Sequence, residues 1–567
     1  MRRNSSLANL GLAFIASLLI HAPSSQADAT PDGPNWSEGA PVSVEGNANR
    51  YGLAPTEYNQ SVRAGKLHTQ VYPVEVTGIL PPFKPFAAAM NGDSENPLSK
   101  IFHSLVGSVG KLKSLEDVLD WLGLHPYPTS EDTGVYTFPS AEEARIPAHR
   151  VGFGTISSPN GDGEGFSISC AACHSSRLFG KTVLGMTNRF VKANEVFLLA
   201  KVGTHLVTPH MLKTFAGADA GEMKLYSRVQ KNLAYVGAKQ PVSLGLDTSL
   251  AQVALSLDHR APDDYAEKDP RYSLRPRPDM LTSQVADSKP AVWWNLKYKN
   301  RWLSDGSVIS GNPIYTNILW NEIGRGTDLH ELERWFEQNQ SVIRDLTSAV
   351  FSTEAPRFTD FFPAEQFDIA AAKRGEGVYR QRCARCHGNY DKVWSLDIAQ
   401  GLPLVDQLRT WRVRYHDQTP VVDVGTDPGR RLGMAPLERL NDLAISKKIG
   451  VVIQKQDGYV PPPLVGIWAR WPYFHNNSVP SLCAVLTRHE MRPEKYSAVE
   501  ADDPARDFDS DCNGYPGQPV SKVRSIFDTS RPGMRNTGHD EGIFLKNGKE
   551  LLTRENKEDL IRFLQTL

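Results

Sequence analysis

Cys170-Ala171-Ala172-Cys173-His174 is the pentapeptide on which this chain's reading turns, and Cys383-Ala384-Arg385-Cys386-His387 repeats its pattern. Two cysteines separated by two residues at a helix start are spaced to form thioethers with the two vinyl groups of a haem. The histidine that follows can then bind the iron as proximal ligand. A redox dithiol has no use for that histidine. Half a zinc site needs further Cys or His at ligand spacing. The stretches that follow, "HSSRLFGK" (174–181) and "HGNYDKVW" (387–394), offer none. The motifs therefore read as attachment sites for two covalently bound haem c groups. Cys170, Cys173, Cys383 and Cys386 are the attachment points, and His174 and His387 are the iron ligands.

The surroundings of the second motif predict helices. "DIAAAKRGEGVYRQRCARCHG" (368–388) reads as a helix running straight into the cysteines. The terminal "TRENKEDLIRFLQTL" (553–567) starts with a capping Thr and carries Leu560, Ile561, Phe563, Leu564 and Leu567 at helical spacing. One helix before the haem and a last helix crossing it is the cytochrome c arrangement. The first motif follows "SSPNGDGEGFSIS" (157–169), whose glycines predict a loop.

Outward from the motifs, the chain has 567 residues, 40% hydrophobic and 22% charged, which fits a soluble protein of two to four domains. A formal charge of -1 gives no electrostatic reason for nucleic acid or an anionic membrane as partner. The N-terminus has Arg2 and Arg3, an apolar run "LGLAFIASLLI" (10–20) and small residues in "SSQADA" (24–29). That run is shorter than the roughly 20 residues a bilayer span needs. It predicts a cleaved export signal, residues 1–29, and no membrane span. The expected location is the periplasm or outside the cell. Residues 30–150, rich in Pro and Gly around one helix, "SLEDVLDWLGL" (114–124), read as an extension packed on the haem core. Residues 151–360 read as the first haem domain and 361–567 as the second, with the boundary near "STEAPRFTDFFPAEQ" (352–366). The expected fold class is mainly α: two cytochrome c-like domains, the N-terminal extension and long loops, with room for short strands. Cys483 and Cys512 lie outside the motifs; they either pair or stay as thiols.

Two further stretches resemble one family. "KPAVWWNLKYKNRWLSDGS" (289–307) is similar to the P-x-x-x-N … W-D-G segment of the bacterial dihaem cytochrome c peroxidases. "PPPLVGIWARWPYFHNNSVPSL" (461–482) is similar to the same superfamily's P-Y-F-H segment, and the motif order agrees. That superfamily also holds the MauG-type enzymes and the rubber oxygenases. The long extension, "HNNSVPSL" (475–482) and "FDTSRPGMRNTGHDEG" (527–542) resemble the rubber-oxygenase branch most. The resemblance implies that peroxide or dioxygen is activated at the N-terminal haem while the C-terminal haem relays electrons. Such cleavage draws two electrons, which two coupled haems can share. A small electron-donor protein or small-molecule reductant is the implied partner.

Residue roles follow from the same resemblance. Glu322, twenty residues past Trp302, matches the peroxidase glutamate that moves a proton between peroxide oxygens. Trp302 matches the tryptophan between the haems, with Trp293 and Trp294 as alternatives; here Leu303 and Ser304 separate it from Asp305-Gly306. His539 matches the tail histidine that gives the relay haem its sixth ligand, with His489 and Met491 as alternatives. His475 is expected to hydrogen-bond near the second haem. His205 and His210 are candidates to close the first haem's sixth position. Three functions follow: a peroxidase-type oxidoreductase as the leading expectation, an oxygenase cleaving a hydrophobic alkene, and a plain electron carrier. An oxygenase favours an apolar pocket without an acid, so the position of Glu322 separates the first two.

Overall fold

The chain enters its first long helix, α1 (Pro55–Gln70), through a proline in the first turn, where the missing N–H is not needed and φ is already helical. In this computed structural model the described residues are 29–30, 33–92, 96–107, 112–129, 138–147, 149–519 and 521–567. The export signal expected over residues 1–29 lies outside them apart from Ala29. Among them, no helix is long and apolar enough to cross a membrane. The helix expected near residue 114 forms over Leu115–Trp121, capped by the Ser114 side chain, which accepts from the Asp117 N–H. α1 is an addition: its apolar residues are too sparse to announce a helix by periodicity.

The approach to the first motif is a hairpin where a loop was expected. β1 (Phe153–Ser157) pairs antiparallel with β2 (Glu164–Ile168). The glycines of that stretch supply its turn, and Ser169 then leads into a single helical turn, Cys170–Cys173. Beyond it, α2 (Pro313–Gly324) and α3 (Gln340–Ser352) complete the helices around the first motif. The second motif follows α4 (Ile369–Arg382), capped by the Asp368 carboxylate, and the chain ends in α5 (Arg554–Gln565) behind a Thr553–Asn556 capping box. Both helices match the sequence reading.

Two helix crossings of the same kind frame the motifs. α1 packs on α3 at Gly65, where a Cβ would lie 1.9 Å from the Asp345 carbonyl oxygen. α4 packs on α5 at Gly375, where a Cβ would lie 2.0 Å from the Asp559 carbonyl oxygen. Only a residue without a side chain lets backbones approach that closely. The second crossing is locked by the Arg374–Asp559 ion pair at 2.7 Å and by the Tyr379 and Phe563 rings, 5.1 Å apart.

The sheet content is seven two-stranded ribbons among the described residues. The fold is therefore mixed, with helix the larger share, and the expectation of a mainly α chain was too narrow. Strands of two to six residues pair locally and carry too few alternations to be read as period-two patterns.

Two large apolar cores divide the molecule. The first gathers Leu250, Val253, Trp302, Ile318 and Val350 around Cys170. It also takes Met434, Leu437, Leu440 and Ile453 from beyond the second motif, and Tyr72 and Val74 from the extension. The second gathers Tyr379, Leu464, Trp468, Leu482, Leu560 and Phe563 around Cys383. Val292 and Trp294 belong to the second core, while Trp293 and Leu296 belong to the first. Cys483 and Cys512 form a disulfide across 29 residues, a loop whose closure stabilises by about 3–4 kcal/mol in the chain-entropy account.

Candidate haem-binding site

One continuous cavity of about 560 Å³ is lined by Cys170, Cys173, His174, Cys383, Cys386 and His387, a volume in the range of small-molecule and cofactor sites. None of the four motif cysteines takes part in a disulfide. Burial pushes Cys170 up to about 11 and Cys383 up to about 12. A redox-active dithiol needs the opposite shift. One group of described residues has metal-ligand spacing, His489, Glu490 and Asp540, and it includes no motif cysteine. The two rival readings of Cys-x-x-Cys thus find no support in the geometry.

The histidines are oriented from behind. His174 donates its Nδ1–H to the Ala291 carbonyl at 2.8 Å, and His387 donates its Nδ1–H to the Pro462 carbonyl at 2.8 Å. A carbonyl only accepts, so the tautomer is fixed and Nε2 is left as the ligand atom. Burial pushes both imidazoles down to about 4, which keeps them neutral, the form that binds a metal.

The two carbonyls belong to segments that are tied together. Asn295 donates to the Pro463 carbonyl at 2.9 Å, and the Trp294 indole N–H donates to the Val465 carbonyl at 2.9 Å. The strip 291–295 therefore backs His174 at one end and is bonded to the strip backing His387 at the other. Sequence similarity singled out both strips but carried no sign of the bonds between them.

The rings beside the two histidines differ. Trp293 lies 5.2 Å from His174, centroid to centroid. His539 lies 6.3 Å from His387, a spacing that fits one metal ion held by both imidazoles at about 2 Å from each. His539 lines the cavity, and its Nδ1 is buried without a hydrogen-bond partner. The alternatives do not reach the cavity: Met491 is 74% exposed, and His489 pairs with Asp540 at 2.7 Å. His205 and His210 are exposed on the surface. His475 lines the cavity, stacked on Tyr459 at 4.1 Å, with Nε2 buried and unpartnered.

Trp302 and Trp293 line the cavity, and Trp302 donates its indole N–H to the Gly311 carbonyl at 2.8 Å. Trp294 is fully buried behind the wall. Glu322 is elsewhere than expected. It is fully buried and does not line the cavity; Tyr72 and Arg325 do. Its Oε1 accepts from the Tyr72 hydroxyl at 2.7 Å and the Thr77 hydroxyl at 3.1 Å. Its Oε2 accepts from the Gly78 N–H at 3.3 Å and from the Thr327 hydroxyl. Arg325 stands 3.6 Å away. With its oxygens so engaged, the carboxylate ties the extension to α2. Trp320 was missed by sequence reasoning: it lines the cavity with a buried indole N–H that has no partner.

Residues 458–497 match the family described as RoxA-like, cytochrome c-like. That segment contains the strip behind His387 together with Arg470, Tyr473 and His475, and so builds a wall of the cavity. The chain is also similar to two uncharacterised proteins of Sinorhizobium fredii (strain NBRC 101917 / NGR234). It is 27% identical to y4iM over 226 residues, 35% of this chain and 49% of that protein. It is 23% identical to y4iJ over 489 residues, 70% of this chain and 76% of that protein. The chain thus spans about half the length of the first relative. The match makes this segment similar to cytochrome c-like, RoxA-like proteins and does not single out a peroxidase.

Proposed function

We propose that this chain is an exported dihaem c-type oxidoreductase that activates dioxygen at the N-terminal haem to cleave a hydrophobic alkene. The observation that carries the reading is the position of Glu322. The first core supplies Leu250, Val253, Trp302, Ile318 and Val350 to the cavity wall, and the expected acid is bonded away from it. A wall rich in apolar side chains, whose one carboxylate among the described residues, Asp247, is held by Ser249, suits an apolar substrate better than peroxide cleavage, which needs a proton carrier. The RoxA-like match favours the same branch.

Cys170, Cys173 and His174 would hold one haem, and Cys383, Cys386, His387 and His539 the other. Haem supplies an iron that binds dioxygen and accepts or donates electrons. The chain's own residues then divide the work. His174, beside the Trp293 ring, would hold the iron that takes up dioxygen, whereas His387 and His539 would together hold the iron that relays electrons. The apolar wall excludes water and orients the alkene, and the Trp320 N–H is a donor within it. Both oxygen atoms end in the two carbonyl products, so the overall reaction balances without an outside reductant. A small electron donor is then needed to prime the iron. Residues 151–360 would carry one haem motif and 361–567 the other, with each core drawing residues from across that boundary. The Cys483–Cys512 disulfide suits a periplasmic or extracellular site.

The test is a visible spectrum of the anaerobically half-reduced protein. The expected result is a spectral change in air that argon reverses, with no fast response to one equivalent of hydrogen peroxide. His174→Ala should abolish the change while the second haem still cycles. Rapid conversion by peroxide that a donor reverses would replace this reading with a peroxidase.

A further inference from the structure

The cavity wall carries an unbalanced charge. Lys289, Lys299, Arg430 and Arg470 all line it, while Asp247 is its one carboxylate among the described residues. Asp247 is held by the Ser249 backbone N–H at 2.7 Å and acts on Cys173, away from this group. Lys289 donates to the carbonyls of Arg470 at 3.3 Å and Pro472 at 2.7 Å. Arg470 donates to the Pro463 carbonyl at 3.1 Å, and Arg430 to the Ala286 carbonyl at 3.0 Å. The Nε atoms of both arginines are buried without partners.

The four are neighbours of one another. Burial pulls Lys289 well below the usual lysine value, and the Arg470 and Arg189 charges pull it further. Burial, then Arg470, pushes Lys299 down to about 7. Arg430 and Lys289 both act on His475 between them. No Asp or Glu acts on Lys289, Lys299 or Arg470. Asp305 feels Arg430 but is bonded to Ser307 at 3.0 Å instead. Apart from that one acid near Arg430, the group meets carbonyls and its own members, and buried basic groups so placed are costly unless an anion joins them.

The cluster also spans both seats. Lys289 is two residues from Ala291, which backs His174, and Arg470 bonds Pro463, next to the Pro462 that backs His387. Each haem carries two propionate carboxylates. We propose that Lys289, Lys299, Arg430 and Arg470 bind the propionates of both haems as one shared cationic cluster that raises the haem reduction potentials. The proposal rests on the two-haem reading. A cation beside a haem favours the reduced, less positive state, so loss of one lowers the potential.

The test uses the holoprotein and its Lys289→Met and Lys299→Met variants. Intact mass counts the haems, and a spectroelectrochemical titration reads the midpoint potentials. The expected result is two haems throughout and, in each variant, a potential lowered by about 59 mV, a tenfold change in a one-electron equilibrium. Lys299→Arg should restore the parental value. Two haems with unmoved potentials in both methionine variants would overturn the proposal. Fewer than two haems in the parent protein would instead defeat the two-haem reading, and this inference with it. Should a methionine variant fail to fold, resonance Raman of Lys299→Arg decides. A shifted propionate bending band supports the contact, and an unmoved band overturns it.

Discussion

Glu322 holds a motif's position while its carboxylate is bonded away from the cavity. Its spacing from Trp302 is that of a proton carrier, yet Tyr72, Thr77, Gly78 and Thr327 donate to it and Arg325 stands beside it. Glu322→Ala strands these donors in the interior and should cost about 3–5 kcal/mol in chemical denaturation. Turnover lost at unchanged stability would return Glu322 to the reaction. His125 gives a second residue-scale expectation. Burial, then Arg177, Arg524, Arg189 and Arg150, pushes its imidazole down to about 4. The unfolded chain binds that proton near pH 6.5 and the folded chain does not. The contribution to stability is therefore full above pH 6.5 and is lost as the pH falls towards 4. His125→Phe should show a smaller fall in Tm between pH 7 and pH 4.5 than the parent, and an equal fall would count against it.

Among elements, the two glycine crossings explain why helices far apart in sequence share a seat. α1 reaches α3 across nearly three hundred residues because Gly65 admits the Asp345 backbone, as Gly375 admits the Asp559 backbone. Gly375→Ala forces a Cβ into that carbonyl and should cost about 1–3 kcal/mol, with a lower haem-to-protein ratio. Gly377, on the same helix, has nothing within 4 Å of an added Cβ. Gly377→Ala should therefore be neutral or stabilising by up to about 1 kcal/mol through helix propensity alone. Equal losses at both positions would show that the crossing is not the cause. α4 and α5 were legible because their caps and apolar periodicity are local. α1 was not, because its packing rests on Gly65 and Ser61 rather than on an apolar stripe.

For the whole molecule, the strip Val292–Leu296 is the joint. Val292 and Trp294 enter one core and Trp293 and Leu296 the other; the preceding Ala291 backs His174, and Asn295 bonds Pro463, next to the Pro462 that backs His387. Both motifs therefore open on one cavity, and a change at either seat is felt through a shared wall. The two pentapeptides, with the four cysteines and two histidines proposed to hold haem, were legible in sequence alone, since that pattern is written in residues within five positions of each other. The capped helices at the second motif were equally local. Only the tertiary structure decided the rest. His539 meets His387, Glu322 turns from the cavity, and Lys289, Lys299, Arg430 and Arg470 converge on its wall. The pairing of two histidine rings, solvent exclusion and charge clustering depend on distance in space, and a chain that closes on itself through backbone contacts leaves no mark of that distance in its spacing.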